Sequence, residues 1–356
     1  MHNHIYIAGA HSRAQTLGVY LRYLYPEIMI EAYLYDNEEK NPLQVEGTPV
    51  LRMDSHNVFH TDYPVYIGTR GVYHPHIRKH LEEIGFTTII PVTMELDLKL
   101  RNEYLEKYFS STGREFAKID RLNASPNRSA AVYVVRSIVD KPLQQEYSLA
   151  VYEKEILAGA ALAKECPFPG ILRDDTGDHI SERNKQFCEL TALYWIWKYA
   201  REELIGLVHY RRHFMIPDDW PDRMRCNGVD VILPIPLYVA PNVAGNFKKR
   251  HDPSDWDYMM QCLRERDEQT YQEAEAFFQS SLYSPCNMFI MRREVLHDLC
   301  SWMFPILFQV AEHGGQKEDS YLNRYPGFLS ERLITFFFEK NRDKYKTVYA
   351  DKNFLP

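Results

Sequence analysis

Short apolar runs alternate with amphipathic segments along the first hundred residues. The run HIYIAGA at 4–10 predicts a strand, the leucines after it recur at helical spacing, and EAYLYD at 31–36 predicts a second strand. The segment 64–86 has the pattern of a strand, a glycine-containing turn and a helix with a glycine cap, and 87–92 that of another strand. Strands that alternate with helices predict a parallel, Rossmann-like sheet.

The rest of the chain begins a new α/β pattern after a polar, irregular stretch. We therefore divide the sequence into a Rossmann-like domain at 1–115, a linker at 116–130 and a second domain at 131–356. The elements predicted for the second domain are a strand at 131–139, a strand or helix at 152–163 with a turn at Gly159, a helix over 179–203, strands at 205–210 and 229–236, a strand leading into a helix from 287, and a helix over 325–340.

The stretch IGLVHYRRHF at 205–214 combines an apolar strand with a cationic end. Arg211 and Arg212 follow the strand directly, at the edge where open α/β sheets bind ligands. Adjacent guanidinium groups suit a phosphate-bearing ligand, because each offers planar paired donors and stays charged. A second interpretation stays open, in which both arginines solvate the strand end and pair with acidic side chains.

Four motifs in this order carry a family resemblance. They are CELTALYWIWK at 188–198, GLVHYRRHF at 206–214, NMFIM at 287–291 and GFLSERL at 327–333. The set resembles a family of bacterial capsule and O-antigen glycosyltransferases that long had no assigned function. The resemblance covers about two thirds of the chain and implies a GT-A-like glycosyltransferase domain behind the Rossmann-like one.

The resemblance also implies a donor site for a UDP-sugar. The candidate donor-site residues lie at the ends of predicted strands or at the start of the NMFIM strand; they are Val135, Arg136, His209, Tyr210, Arg211, Arg212 and Asn287. Cys286, directly before Asn287, is a further candidate for a sugar contact. An inverting transferase also needs a base for the acceptor hydroxyl. Glu331 is our first candidate, ahead of Glu189 and Asp319, although Glu331 could instead be locked to Arg332. The candidates for acceptor or sugar contact are Tyr194, Trp195 and Arg332, with the alternative that the aromatic residues belong to the core.

The sequence does not decide whether the protein binds a metal ion. Many GT-A enzymes bind the donor diphosphate through a cation held by a DxD motif, so Mn²⁺ or Mg²⁺ is a candidate cofactor. The strand that corresponds best ends in HYRR instead. The literal DxD at Asp255–Asp257 has the pattern of a helix start. The turn at 173–181 carries three aspartates but lacks the later glutamate of a calcium loop, and turn or capping chemistry explains it as well.

Composition and charge narrow the class of protein. A formal net charge of −7 gives no overall basic footprint, so we expect no nucleic-acid partner. No apolar run approaches the roughly 20 residues needed to cross a bilayer, and we expect a cytoplasmic protein. The basic run 248–251 is either a solvated loop or a contact for anionic lipid or a lipid-linked diphosphate, which would place the protein at the inner face of the membrane. The six cysteines lack CxxC spacing and predict buried or half-buried thiols, without a disulfide framework, iron–sulfur cluster or zinc site.

The first domain has a weaker resemblance of its own. Gly9 and Gly18 do not complete a GxGxxG motif, so the loop does not imply a dinucleotide. The segment resembles the lead-in domain of some bacterial sugar acetyltransferases, and its matching loop ends are Gly9, Ala10, Asp36, Thr69 and Arg70. That resemblance implies a nucleotide-sugar site, and a degenerate domain used for docking is an equal alternative.

We therefore expect transfer of a hexose, with galactose as pyranose or furanose the first candidate, from a UDP-sugar to a surface polysaccharide or lipid-linked oligosaccharide. A non-catalytic nucleotide-binding scaffold of the same assembly system is the alternative that the absent DxD keeps open. An oxidoreductase or epimerase is disfavoured because GxGxxG is absent.

Overall fold

The chain folds into two compact units, Met1–Phe116 and Ala117–Pro356. The structure is a computed structural model, and it describes residues 3–36, 40–54, 57–122, 129–166 and 168–356. Each unit has its own sheet and its own core.

Unit 1 is built on a six-stranded sheet in its described residues. Its elements are β1 (His4–Ala8), α1 (Ser12–Leu24), β2 (Met29–Tyr35), β3 (Gln44–Val45), β4 (Thr48–Arg52), β5 (Val65–Ile67), α2 (His74–Ile84), β6 (Ile89–Pro91) and α3 (Met94–Ser111). The strand order is β3-β4-β2-β1-β5-β6, and every pair except β3 with β4 is parallel. This order is that of a Rossmann-like sheet, so the predicted fold class is confirmed for this unit.

Tight backbone packing at the end of β1 explains the glycine there. Gly9 has a φ of +116°, and a Cβ atom on it would lie 3.0 Å from Cγ2 of Thr69 and 3.1 Å from Cβ of Ala14. The glycine therefore lets β1 turn into α1 beside the end of β5. The predicted glycine cap of α2 is confirmed at Gly85, which is left-handed and donates its N–H to Leu81 and Glu82 carbonyls.

Unit 2 is built on an eight-stranded sheet and a separate two-stranded ribbon in its described residues. Its elements are β7 (Ala130–Arg136), β8 (Glu153–Leu157), β9 (Leu172–Arg173), α4 (Asn184–Phe187), α5 (Leu190–Tyr199), β10 (Leu204–His209), β11 (Phe214–Met215), α6 (Trp220–Cys226), β12 (Val231–Pro234), β13 (Leu237–Tyr238), α7 (Val243–Arg250), α8 (Pro253–Arg266), α9 (Glu268–Phe278), β14 (Leu282–Tyr283), β15 (Phe289–Arg292), α10 (Arg293–Gly314), α11 (Tyr325–Lys340) and β16 (Thr347–Lys352).

The large sheet has the order β11-β16-β12-β15-β10-β7-β8-β9. Strands β7 to β10 run parallel, and β15 runs antiparallel between β10 and β12. Strand β10 is buried on both faces. At Gly206 the neighbouring strands leave no room for a side chain, because a Cβ atom there would lie 2.9 Å from Cγ1 of Ile290 and from Cγ2 of Val132. One face packs under α5, α10 and α11, and the other under α6, which contributes Trp220.

One sequence prediction is wrong in this unit. The helix predicted over 179–203 is interrupted at Cys188, whose φ of +50° ends α4 before α5 begins. The linker predicted at 116–130 is partly structured, because Ile119 is buried and Lys118 pairs with Asp351 of β16. Residues 123–128 of that linker lie outside the described residues.

None of the helices in the described ranges combines the length and the apolar character that a membrane span requires.

Candidate active site

The carboxyl ends of β7, β8 and β10 meet at one edge of the large sheet. Because β15 is antiparallel to β10, its beginning lies at the same edge. The turn before β15 carries Cys286 and Asn287, and the first turns of α11 contact this turn. This edge is where parallel α/β sheets bind ligands.

The turn at Cys286 and Asn287 has unusual backbone geometry. Both residues are left-handed, with φ values of +79° and +47°, although neither is glycine. Asn287 is buried, and its side chain is fully engaged: Nδ2 donates to the Gly327 carbonyl and Oδ1 accepts from Ser330. A strained backbone that the surroundings fix in this way is typical of functional sites.

Glu189 and Glu331 are the two carboxylates that this turn connects. Asn287 Nδ2 donates to Oε1 of Glu189 at 2.8 Å, and the backbone N–H of Cys286 donates to Oε1 of Glu331 at 2.8 Å. The structure therefore brings together both acids that the sequence offered as catalytic candidates, although 142 residues separate them in the chain.

Both carboxylate oxygens of Glu331 have a protein partner. Its Oε2 pairs with Arg332 at 2.7 Å, and Arg332 is only 3% exposed, lying over the ring of Tyr283. Burial raises the pKa of Glu331, and the charge of Arg332 opposes this rise. The interpretation of Glu331 and Arg332 as a structural lock therefore fits this geometry, in which the Arg332 guanidinium is buried. The sugar contact of Arg332 stays a prediction.

Glu189 differs from Glu331 in having an unengaged oxygen. Its Oε1 accepts from Asn287, and within the described parts of the chain its Oε2 accepts no hydrogen bond and its carboxylate has no ion-pair partner. A half-buried carboxylate of this kind can accept a proton from a bound hydroxyl.

His209 ends β10 and completes the contact with the turn. Its Nε2 donates to the carbonyl of Cys286 at 2.5 Å, which fixes the proton on that nitrogen. Burial lowers the pKa of His209, with the charge of Glu189 opposing and that of Arg212 adding to the effect. The imidazole is therefore neutral near pH 7.

The structure separates the two arginines that follow β10. The chain makes a tight turn in which His209 and Arg212 pair through two backbone hydrogen bonds, so Arg211 lies at the tip. Arg211 donates from one terminal nitrogen to the carbonyls of Lys141 and Pro142. Arg212 lies beside the ring of Phe354 and forms no hydrogen bond or ion pair with any residue that the structure describes.

The ends of β7 and β10 also carry the remaining donor candidates. Arg136 pairs with Glu155 at 2.8 Å, and its guanidinium lies 4.4 Å from the centre of the Phe168 ring and 5.6 Å from that of Tyr210. Val135 is buried within the sheet, so it can support a ligand site only by packing beneath the residues that contact the ligand. Burial raises the pKa of Asp140 to about 6, against the opposing effects of the Ser137 N–H and of Arg136.

The predicted aromatic acceptor residues are not part of this cluster. The ring of Tyr194 is buried against Trp197 and Phe304, and its hydroxyl donates to Asp178. Trp195 donates to Thr176 and packs on Tyr199. The ring of Tyr194 therefore packs in the core between α5 and α10, and acceptor contacts of Tyr194 and Trp195 stay predictions.

The acidic motifs have structural roles. Asp252 caps α8, Asp255 is buried in an ion pair with Lys317, and Asp257 pairs with Lys248, so the predicted helix start at the DxD is confirmed. Asp174, from the turn at 173–181, is buried and accepts from the N–H groups of Gly159 and Ala160.

The basic run 248–251, predicted as a loop, ends α7 instead. Across the described ranges, no group of three or more His, Cys, Asp or Glu side chains is arranged to hold a metal ion. Within those ranges the side chains therefore offer no all-protein metal site. Dependence on Mn²⁺ or Mg²⁺ stays a prediction.

Residues that sequence reasoning missed complete the cluster. Arg324 donates from Nε to Sγ of Cys188 at 3.1 Å, next to Glu189, and Ser330 holds Asn287. Ser330 belongs to the GFLSERL motif, which could have indicated it. Arg324 precedes that motif, and no local pattern signals it.

Unit 1 has a cavity of about 590 Å³ at the carboxyl ends of its central strands. Its lining includes the five loop-end residues named from the sequence, Gly9, Ala10, Asp36, Thr69 and Arg70. Strand β1 lies between β2 and β5, so the cavity is at the point where the strand order reverses, which is the usual ligand position in such sheets.

Comparison with known proteins places unit 2 in a family. A family model described as a domain of unknown function, DUF4422, matches residues 141–342, which is more than half of the chain. The chain belongs to the DUF4422 family. Among curated proteins, none matches the chain significantly.

The structure of the DUF4422 chain is similar to solved structures. The apo structure of the bifunctional glycosyltransferase WbbM matches with a TM-score of 0.55 and 24% identity, over 64% of this chain and 45% of that one. The DUF4422 chain thus spans less than half the length of WbbM. The match agrees with the predicted α/β fold class. Core-mannan synthase A from Aspergillus fumigatus, in its Mn/GDP form, matches with 10% identity over 100% of this chain and 75% of that one, but at a TM-score of 0.26 this likeness supports no inference.

Proposed function

We propose that unit 2 is a glycosyltransferase that moves a hexose from a UDP-sugar to a surface polysaccharide or a lipid-linked oligosaccharide. Galactose, as pyranose or furanose, is the first candidate sugar. The observation that carries the proposal is Arg212 at the carboxyl edge of the sheet: it is half-buried, its guanidinium has no hydrogen-bond or ion-pair partner among the described residues, and its charge acts on the Glu331 carboxylate. The likeness in fold to a glycosyltransferase structure also supports the proposal.

In this proposal Arg212 binds the donor diphosphate. A guanidinium without a protein partner keeps its paired donors available for phosphate oxygens. Arg211 has already committed one terminal nitrogen to two backbone carbonyls, so we assign it to holding the 141–142 loop. Arg136, which ends β7, and Tyr210, which follows β10, form the nucleoside end of the same site in this proposal.

Transfer then requires one bond to form and one to break. The acceptor oxygen bonds to the anomeric carbon, the bond from that carbon to the diphosphate breaks, and its electron pair leaves with UDP. Arg212 stabilises the charge that develops on the diphosphate. The acceptor proton moves to Glu189, which has an unengaged oxygen, whereas both oxygens of Glu331 are occupied.

Release of UDP from a panel of nucleotide sugars tests this proposal. We expect the full-length protein to release UDP from a UDP-hexose faster than buffer does, and Arg212→Ala to reduce that rate. UDP binding without turnover in the presence of glycan acceptors would instead support the non-catalytic scaffold. Tight binding of a different nucleotide with no affinity for UDP would show that the donor is wrong.

A further inference from the structure

Three aromatic rings form a continuous ledge beside the candidate active site. We call Tyr321, Phe328 and His251 the aromatic ledge. The His251 ring stacks on Phe328 at 4.2 Å and on Tyr321 at 5.5 Å between ring centres, and Tyr321 and Phe328 are 5.0 Å apart. His251 is buried, Phe328 is half-buried and Tyr321 is exposed, so the ledge has an inner and an outer end.

The ledge is connected directly to the site residues. Phe328 lies on α11 between Gly327, whose carbonyl accepts from Asn287, and Ser330, which donates to Asn287. The guanidinium of Arg324 lies 5.6 Å from the Phe328 ring centre, while its Nε donates to Cys188, the neighbour of Glu189. A ligand on the ledge would therefore lie next to Glu189.

The exposure of Tyr321 is unusual for its unit. In the described part of unit 2, the exposed large aromatic side chains are Tyr321, at 47%, and Phe354, at 48%. Phe354 lies beside Arg212 and Tyr321 is part of the aromatic ledge, so both exposed rings adjoin residues of the candidate site. An aromatic ring left in water beside a site is a common binding element, because it gives a large apolar face with a polar tip.

The chemistry of the ledge suits a neutral ring more than an anion. Burial lowers the pKa of His251 to about 4, and the charges of Arg332, Arg250 and Lys317 add to this effect. The imidazole is therefore an uncharged aromatic surface near pH 7. Arg324 adds hydrogen-bond donors at the rim, since neither of its terminal nitrogens has a hydrogen-bond partner among the residues that the structure describes.

We propose that the aromatic ledge is the acceptor subsite, on which the terminal sugar ring of a glycan stacks against Tyr321 and Phe328. This inference rests on the proposed function, since it places the acceptor hydroxyl beside Glu189. The apolar C–H face of the sugar contacts the rings, and its hydroxyl groups accept from Arg324. The subsite thus binds a neutral sugar ring, and not the phosphate or lipid part of an acceptor.

Saturation-transfer NMR with simple glycosides tests the subsite without needing the natural acceptor. The probes are methyl β-D-galactopyranoside, methyl β-D-glucopyranoside and methyl α-D-mannopyranoside, each added to the full-length protein at millimolar concentration. We expect a signal for at least one probe with the parent protein and with Tyr321→Phe. Tyr321→Ala should weaken that binding about tenfold or more, which corresponds to the loss of roughly 1.4 kcal/mol.

Tyr271→Ala is the matched control. This surface tyrosine of the same unit packs on Arg264 and bonds to Glu275, and none of the residues of the candidate site contacts it in the described structure. Its glycoside signal should equal that of the parent. Equal signals from the parent and Tyr321→Ala, or no signal for any probe with the parent, would overturn the subsite.

Calorimetry with UDP on the same preparations separates this inference from the proposed donor. Loss of glycoside binding in Tyr321→Ala supports the ledge whether or not UDP binds. Absence of UDP binding to the parent counts against the donor assignment alone.

Discussion

The side-chain amide of Asn287 donates a hydrogen bond of 2.8 Å to Oε1 of Glu189, across 98 residues of sequence. This bond joins the left-handed turn before β15 to the start of α5. It orients one carboxylate oxygen, while the other has no hydrogen-bond partner among the described residues and can contact a ligand. Glu189 is therefore the better candidate for the base than Glu331, our first choice from the sequence.

Replacing Glu189 by Gln should lower turnover while the fold and UDP affinity are kept. The amide oxygen of Gln can still accept from Asn287, but Gln cannot take up the acceptor proton. We expect kcat to fall roughly a hundredfold or more. Initial rates of sugar transfer together with calorimetry for UDP measure this separation.

Glu331→Gln is the control for that experiment. It leaves the buried Arg332 without its anion, so the free energy of unfolding should fall by about 3 kcal/mol. A stable Glu331→Gln protein with a large loss of kcat, beside normal turnover in Glu189→Gln, would reverse the two assignments.

Asn287→Asp should make stability depend on pH. The new carboxylate would face Glu189 and the Gly327 carbonyl where the amide now donates to both. The two carboxylates repel each other only when both are ionised, so the loss of stability grows as pH rises through the carboxylate range and is smallest in acid. Urea denaturation of the parent and of Asn287→Asp at several pH values measures this difference in the free energy of unfolding.

Asn287→Gly serves as the comparison. Glycine tolerates the φ of +47° and removes the same hydrogen bonds without adding a charge, so its loss of stability should not increase with pH in this way. Parallel pH profiles for the two variants would show that repulsion with Glu189 is absent.

The two neighbouring arginines should respond differently to alanine. Arg212→Ala should weaken UDP binding about tenfold or more and leave uridine binding nearly unchanged, because a charge-assisted contact to phosphate is lost. Arg211→Ala should mainly lower the melting temperature, since it frees the Lys141 and Pro142 carbonyls. Calorimetry with and without Mn²⁺ gives both affinities and tests metal dependence. Equal losses in both variants, or none in Arg212→Ala, would contradict the diphosphate assignment.

The sequence predicted the central strands of both sheets because each of them is a short apolar run between turn residues, and it missed the outer strands such as β16. The strand expected at 131–139 is β7 at Ala130–Arg136, and the strand expected at 205–210 is β10 at Leu204–His209. The break at Cys188 was missed because its positive φ occurs without a glycine. Tertiary contacts, among them the bond from Arg324, hold that conformation.

The site was predicted only in part, for a similar reason. Arg211 and Arg212 are chemically identical and adjacent in the sequence. The turn that pairs His209 with Arg212 decides which guanidinium has no hydrogen-bond or ion-pair partner in the described part of the chain. The aromatic ledge joins Tyr321 and Phe328 of one segment with His251 of another, so no local pattern contains it.

Asp140 gives a separate pH prediction. Its folded-state pKa of about 6 exceeds the ordinary value of 3.8, so it binds a proton in the folded state that the unfolded chain has released. Its contribution to stability is present below about pH 4 and is lost as pH rises to about 6. Asp140→Asn should remove this loss and gain about 1 kcal/mol relative to the parent at pH 7, after allowance for solvent screening. A constant difference between the two proteins from pH 4 to pH 7 would show that Asp140 ionises normally.

The position of the diphosphate in a crystal structure of the full-length protein with UDP tests the central claim most directly. We predict that the phosphate oxygens lie within hydrogen-bonding distance of the Arg212 guanidinium, with the free oxygen of Glu189 facing the place of the missing sugar. Ordered UDP bound elsewhere in unit 2, or only in the cavity of unit 1, with Arg212 free of phosphate contacts, would contradict it.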